Sequence, residues 1–194
     1  MEDVYICGNG GHAMSVASAC VALGLRCTCL DDGVWEGEVA SAGGTMKTFA
    51  AGIGHRARRA AMCKQLLSTP CVSLRTIVHP TAFVDPTAVV HPGTFIGAFA
   101  YIGPQAVVGP LAIVNTRAVV EHGAVVLEGA HVSVGASLCG GARLGRFSDL
   151  FAHACLLPTV CVGDDVVIGA GALVTKDVPP GPRTMVGVPA RRVA

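Results

Sequence analysis

Large rings are scarce in this chain: aromatic residues fill 5% of its 194 positions, against 52% hydrophobic residues overall. Something other than aromatic packing must fill the core. An excess of one charge is lacking too. With 14 Lys+Arg against 13 Asp+Glu the formal charge is +1, so no basic field draws in nucleic acid. No apolar run reaches the ~18 residues a membrane span needs, and Met1-Glu2-Asp3 lacks the basic opening of a signal peptide. The 9 cysteines include no CxxC pair. Cys27 and Cys29 lie closest, and an odd set without such spacing reads as reduced thiols in a cytoplasmic protein rather than a disulfide framework. Gly, at 25, and Pro, at 11, show no collagen period, and a charged fraction of 14% argues against disorder. The length suits one large domain or two small ones.

What is present is a repeat. From Ile77 the chain returns to the same pattern every six residues, with an aliphatic residue at every sixth position from Val78 through Val174. Four residues beyond each aliphatic stands mostly Ala, as at Ala82, Ala88, Ala100 and Ala106. Gly often follows the aliphatic directly, as at Gly97, Gly103, Gly109, Gly145, Gly163 and Gly169. A helix of 3.6 residues per turn cannot use this period. A parallel β-helix can: three hexads make one triangular coil, the aliphatic points inward on a flat side, and the small residue fits near a corner. The repeats make between about five and six coils, a prism roughly 25–30 Å long at ~4.8 Å per stacked strand.

The first 75 residues differ. Strands are expected at Val4–Cys7, Arg26–Leu30, Lys47–Ala51 and Cys71–Leu74, with helices over Ala13–Leu23 and, basic-faced, over Arg56–Leu67. Gly43-Gly44 falls in the connection. Alternating strand and helix implies a small parallel sheet. Gly8-x-Gly10-x-x-Ala13, after a strand and opening a helix, with Asp31 about 20 residues on, fits the dinucleotide fingerprint. Its physics is a backbone close enough to hold phosphates at a helix N-terminus. Too little chain is present for two mononucleotide halves, which favours a nucleotide or nucleotide sugar over NAD. A tight turn with no ligand remains the alternative for the loop, and a plain turn for Asp31-Asp32. His12 is open as a cap, a solvated ring or a ligand contact.

Seven histidines must be weighed. His79 and His91 sit beside Pro80 and Pro92 as turn or solvated residues, and His55 opens a helix. His153 could line a groove. Glu121-His122 sets a carboxylate beside an imidazole, which can fix a tautomer and raise basicity, although adjacent strand residues point to opposite sides. His122 and His131 lie half a coil apart, on neighbouring parts of the wall. None of the solenoid histidines shares a column with another, so no zinc site is expected.

The hexads from Ile77 to Ala190 resemble the hexapeptide-repeat acyltransferases of the left-handed β-helix. Together with the Gly-x-Gly-Gly-His loop, Asp31-Asp32, Glu121-His122 and His131-Val132-Ser133-Val134-Gly135, they make the chain similar to the sugar O/N-acyltransferases related to bacillosamine, perosamine and viosamine N-acetyltransferases and to sialic-acid O-acetyltransferase. The resemblance implies a fold and a division: an α/β domain over 1–75, small, with a truncated Rossmann-like parallel sheet, holding a nucleotide sugar, and an all-β left-handed parallel β-helix with a C-terminal tail over 76–194. It implies a homotrimer with acetyl-CoA and active sites between subunits, no metal, and no nucleic-acid or membrane partner.

By the same resemblance, Gly8, Gly10, Gly11 and His12 approach phosphates and sugar, Asp31 and Asp32 the base and ribose, and Asn115 and His131 the substrate. His122 is the general base with Glu121 as partner, although Gly123 stands where some relatives carry a second acid. Gly140 offers the oxyanion an amide. Ser133, Gly140, Ala152, Gly169, Ala170, Lys176 and Pro189 line acetyl-CoA, and Arg191 and Arg192 are candidates for its 3′-phosphate. The reaction implied is direct transfer of acetyl, without an acyl-Cys139 intermediate, to the 4-amino group of a UDP- or dTDP-linked 4-amino-4,6-dideoxy sugar. O-acetylation of a free sugar such as sialic acid, and a non-catalytic nucleotide-sensing scaffold, are the alternatives.

Overall fold

The computed structural model describes residues 3–41 and 46–193; Gly43-Gly44 lies outside them. The first region runs β1 (Asp3–Cys7), α1 (Gly11–Ala22), β2 (Arg26–Leu30), α2 (Asp32–Ala40), β3 (Lys47–Ala51), α3 (Arg56–Ser68) and β4 (Val72–Leu74). The strands pair in parallel in the order β2-β1-β3-β4. Helix α2 lies where the sequence pattern suggests no regular element. Gly33 and Gly37 each weaken a helix by about 1 kcal/mol, but burial of Trp35 and Val39 against Phe49, Met62 and Leu66 outweighs that cost. A second correction concerns α3: its basic face is divided, with Arg58 exposed at the surface and Arg59 completely buried.

From β5 (Ile77–Val78) to β21 (Leu173–Val174) the chain is a ladder of very short parallel strands wound into three sheets. The hexad explains it residue by residue. Ile96, Ile102, Val108, Val114, Val120, Val126, Val132, Leu138, Leu144, Leu150 and Leu156 are fully buried, and Ala106 through Ala142 fill the inner space between them. Where Ala gives way to Thr94 or Ser148, the buried hydroxyl is satisfied. Thr94 Oγ1 has the carbonyls of His91 (2.7 Å) and Gly109 (2.9 Å) as acceptors for its one proton, and Ser148 Oγ donates to Gly163 O (2.8 Å) while accepting from Val166 N (2.9 Å). A left-handed residue recurs at every sixth position from Gly93 to Gly171, three after each inward aliphatic. This residue makes the corner, so the repeat carries a turn as well as a core.

The outward ladder Ile77–Phe95–Ile113–His131–Asp149–Val167 forms the docking face. Its apolar members Ile77, Phe95 and Ile113 are buried in one cluster with Ala13, Val16 and Ala19 of α1. A second ladder, Phe83–Tyr101–Val119–Ser137–Cys155–Leu173, forms an open face, with Phe83 stacked on Tyr101 at 5.3 Å. The third carries Val89, Val107, Val125, Arg143 and Cys161. After the solenoid, β22 (Arg183–Val186) extends the docking face, and β23 (Arg191–Arg192) pairs back on it.

Candidate active site

The corner between the open and third faces carries His122. Successive coils stack Pro104, His122, Gly140, Pro158 and Lys176 there, one register step apart. The imidazole lies flat against the next coil: a Cβ on Gly140 would stand 2.5 Å from both Cε1 and Nε2 of His122. Only glycine leaves room for the ring in this place.

The same column makes a free donor. In the His122 coil, Glu121 Oε2 accepts from the backbone N–H of His122 at 3.1 Å, so the carboxylate meets its neighbour through the main chain. One coil later Cys139 stands in the place of Glu121 and cannot repeat that cap. The N–H of Gly140 therefore has no acceptor among the described residues, while Gly141 N–H is taken by His122 O (2.9 Å). Cys139 Sγ lies 3.8 Å from Cys155 Sγ, and burial pushes the Cys155 thiol up to about 11.

The corner between the docking and open faces carries a second row. Asn115 and Ser133 stack below Phe151 and Gly169, with Ala152 and Ala170 one residue further round. The C-terminal tail closes the top of this row: Leu173 N–H donates to Gly187 O (3.1 Å), and Ala190 N–H to Leu173 O (2.7 Å), which sets Pro189 beside the last coil. Gly169 has a packing reason, because a Cβ there would meet Val186 Cγ1 at 2.8 Å. Of the sequence-named residues, His122, Gly140 and Lys176 thus share one edge. Asn115, Ser133, Ala152, Gly169, Ala170 and Pro189 share another, with the open face between them in one protomer.

The α/β region contributes a cleft of about 260 Å³ lined by Gly8, Asn9, Gly10, Gly11, His12, Gly52, Ile53, Gly54, His55 and Arg58. Gly8 sits at φ +108°, where an L side chain is strained. All four loop residues named from sequence line this cleft. Asn9, His55 and Arg58 are additions; the second glycine loop, Gly52 to His55, was the available signal. Asp31 and Asp32 do not line it. The Asp31 carbonyl accepts from Val34 and Trp35 (3.0 and 2.9 Å) to start α2, and the Asp32 carboxylate pairs with Arg58 on the cleft wall. A second cleft of about 420 Å³ opens between α1 and the solenoid, shares Gly11, and reaches Phe95, His79, Ala98 and Thr116.

Between cleft and solenoid lies a buried polar cluster. The His12 ring meets Phe95 edge-on at 5.1 Å and stands 6.3 Å from the His131 ring; its buried Nε2 has no hydrogen-bond partner among the described residues. His131 Nε2 is 3.4 Å from Asn115 Nδ2, and its Nδ1 is 3.9 Å from Asp149 Oδ1. Burial, then the nearby Arg59 guanidinium, lowers His12 to about 4 and His131 to about 3. Both rings are neutral near pH 7. Burial raises the Asp149 carboxyl, opposed by Arg59. Arg59 and Asp149 were missed from sequence: one sits in a run of arginines, the other at an outward hexad position. His79 holds Thr81 through Nδ1 at 2.8 Å, and the His153 ring packs over Gly135. Among the described residues no group of three His, Cys, Asp or Glu could hold a metal ion.

A hexad-built solenoid preceded by a small parallel α/β domain is the architecture of the left-handed β-helix acetyltransferases. The chain has this fold and is an acyltransferase. Among solved structures it is similar over 100% of its length, and 98% of the other chain, to a histidine-to-alanine variant of GDP-perosamine N-acetyltransferase from Caulobacter crescentus in complex with CoA and GDP-perosamine, at 28% identity and TM-score 0.88. It is equally similar to the acetyltransferase domain of PglB from Neisseria gonorrhoeae in complex with acetyl coenzyme A: 28% identity, TM-score 0.90, 99% of each chain. WeeI from Acinetobacter baumannii shares the fold over 100% of both chains at 18% identity and TM-score 0.78. No protein-family model matches the sequence, and no curated protein matches it.

Proposed function

We propose that the protein is an acetyl-CoA-dependent N-acetyltransferase that acylates the amine of a nucleotide-linked 4-amino-4,6-dideoxy sugar. The observation that carries this reading is the His122 imidazole lying against Gly140, whose N–H is free. The ligands of the two similar structures, CoA with GDP-perosamine and acetyl coenzyme A, support the same substrate pair. UDP, dTDP and GDP are the nucleotides to be tested, the last being the one bound in the perosamine enzyme.

The roles follow from placement. The thioester is already activated, so most of the advantage comes from holding the amine against its carbonyl. His122 takes the proton of the attacking amine as the tetrahedral intermediate forms, and returns it to the departing CoA sulfur. The Gly140 N–H donates to the developing oxyanion. Acetyl-CoA runs along the row Ser133, Ala152, Ala170 and Pro189, about three coil spacings or ~14 Å. The nucleotide occupies the glycine-lined cleft, its phosphates at the N-terminus of α1, and the sugar passes over Gly11 towards Asn115.

Because the acetyl-CoA row and the His122 edge stand on different corners of one protomer, the complete site forms where one subunit's row meets the neighbour's His122 edge in a homotrimer. The exposed Phe83, stacked on a half-buried Tyr101 on the open face, supports burial against another copy. The test is a thiol-release assay with acetyl-CoA and UDP-, dTDP- or GDP-linked 4-amino-4,6-dideoxy sugars, with mass spectrometry of the product. A gain of one acetyl group on the sugar nucleotide is expected. Release with free sialic acid alone overturns the N-acetylation reading.

A further inference from the structure

Arg59 is the largest completely buried side chain among the described residues, and nothing in the reaction just described uses it. Each of its three guanidinium nitrogens donates a hydrogen bond, and the acceptors belong to two different parts of the molecule. Nε donates to Gly129 O at 2.7 Å, and Nη2 to Asp149 Oδ1 at 2.6 Å, both on the solenoid. Nη1 donates to Gly54 O, on the second glycine loop that walls the 260 Å³ cleft. Asp149 follows His131 on the docking-face ladder, and its second oxygen is 4.0 Å from Arg56 Nε.

A planar fork with fixed donor directions sets position where a flexible ammonium would not. A buried ion pair is also weak evidence for stability, since its desolvation offsets much of its attraction; its better-attested use is to specify registry. A pair that spans two domains, with a third bond to a binding-loop carbonyl, has the form of such a device.

We propose that Arg59 is a positioning residue: it clamps the Gly54 loop to the Asp149 and Gly129 coils, and so fixes the nucleotide cleft relative to the transfer edges. The inference rests on the function proposed above. A nucleotide-linked sugar is then presented to the acetyl group at a set distance, whereas acetyl-CoA, held on the solenoid, does not depend on the clamp.

The experiment compares the wild type with Arg59→Met/Asp149→Leu, which replaces the pair by apolar groups and so keeps the fold where a single change would bury an unpaired charge, and with Arg59→Lys. Steady-state kinetics are run on the sugar nucleotide that the wild type turns over and on the same amino sugar without its nucleotide. The double variant is expected to lose on the order of 100-fold in kcat/KM for the sugar nucleotide, the scale of a small misplacement. Its KM for acetyl-CoA and its rate on the free amino sugar should stay within about two-fold of wild type, and Arg59→Lys should fall in between. A double variant with an altered Tm but unchanged kinetics overturns the proposal, as does an equal loss on both acceptors. Calorimetric Kd values for UDP, dTDP and GDP keep the two readings apart. Where the wild type binds a nucleotide but acetylates no amino sugar, the proposed function falls, and a weaker nucleotide Kd in the double variant still supports the clamp while an equal one overturns it. No nucleotide binding by the wild type overturns both.

Discussion

The imidazole of His122 lies directly over the α-carbon of Gly140, one coil further along the same corner, where a Cβ would come within 2.5 Å of Nε2. The residues proposed as base and oxyanion donor are thus neighbours in a column, 18 residues apart in sequence and one strand spacing apart in space.

Gly140→Ala is expected to displace the ring rather than unfold the coil, because Gly140 is not among the residues with positive φ. kcat should fall by about 10- to 100-fold, part of what one oxyanion-site interaction contributes, with Tm shifted by only a few degrees. Full activity in this variant would remove Gly140 from the site.

His122→Ala should lower kcat by about 10²- to 10⁴-fold, the range for loss of general base catalysis. Affinity for CoA, measured by calorimetry, should be preserved. Glu121→Gln should have a smaller effect, because Glu121 caps the His122 N–H through an oxygen that the amide retains. A Glu121 variant as impaired as His122→Ala would indicate that the carboxylate acts on the ring itself.

Acid should destabilise the protein through its buried rings. His12 and His131 stand at about 4 and about 3 when folded, below the ordinary 6.5. Their contribution is fully present above pH ~6.5 and is lost as pH falls towards those values, because the unfolded chain then takes up protons the folded one refuses. Urea unfolding between pH 7 and 4 should show a loss on the order of a few kcal/mol. The double variant His12→Gln/His131→Gln should show a flatter profile; an unchanged slope would mean other groups carry the acid sensitivity.

The hexad itself predicts a contrast between neighbours. Leu144 is fully buried in the prism and Arg143, beside it, is exposed. Leu144→Ala should cost about 2–5 kcal/mol, whereas Arg143→Ala should stay within ~0.5 kcal/mol. Equal effects in denaturant titration would contradict the inward and outward assignment.

Where the sequence spoke clearly, it did so through repetition or strong local chemistry. A residue inside a coil meets its own equivalents above and below, so one period specifies core, strand and corner alike. Gly8, Gly10, Gly11 and His12 were legible for a related reason: a strand, a glycine turn and a helix start are contiguous, and they line one cleft. Helix α2 was not, because its two glycines speak against a helix and the burial of Trp35 and Val39 that offsets them comes from distant parts of the fold.

By itself, then, the sequence determined the solenoid and the parallel α/β domain before it, since each depends on residues whose spacing is set by a regular backbone, while Glu121-His122 stood out by resemblance. Only the tertiary structure decided which face of the prism the α/β domain covers, that Glu121 caps a main-chain N–H, and that Arg59 reaches Asp149 across 90 residues. Those choices depend on how two independently regular units meet. No local propensity records the desolvation and hydrogen-bond geometry of that meeting.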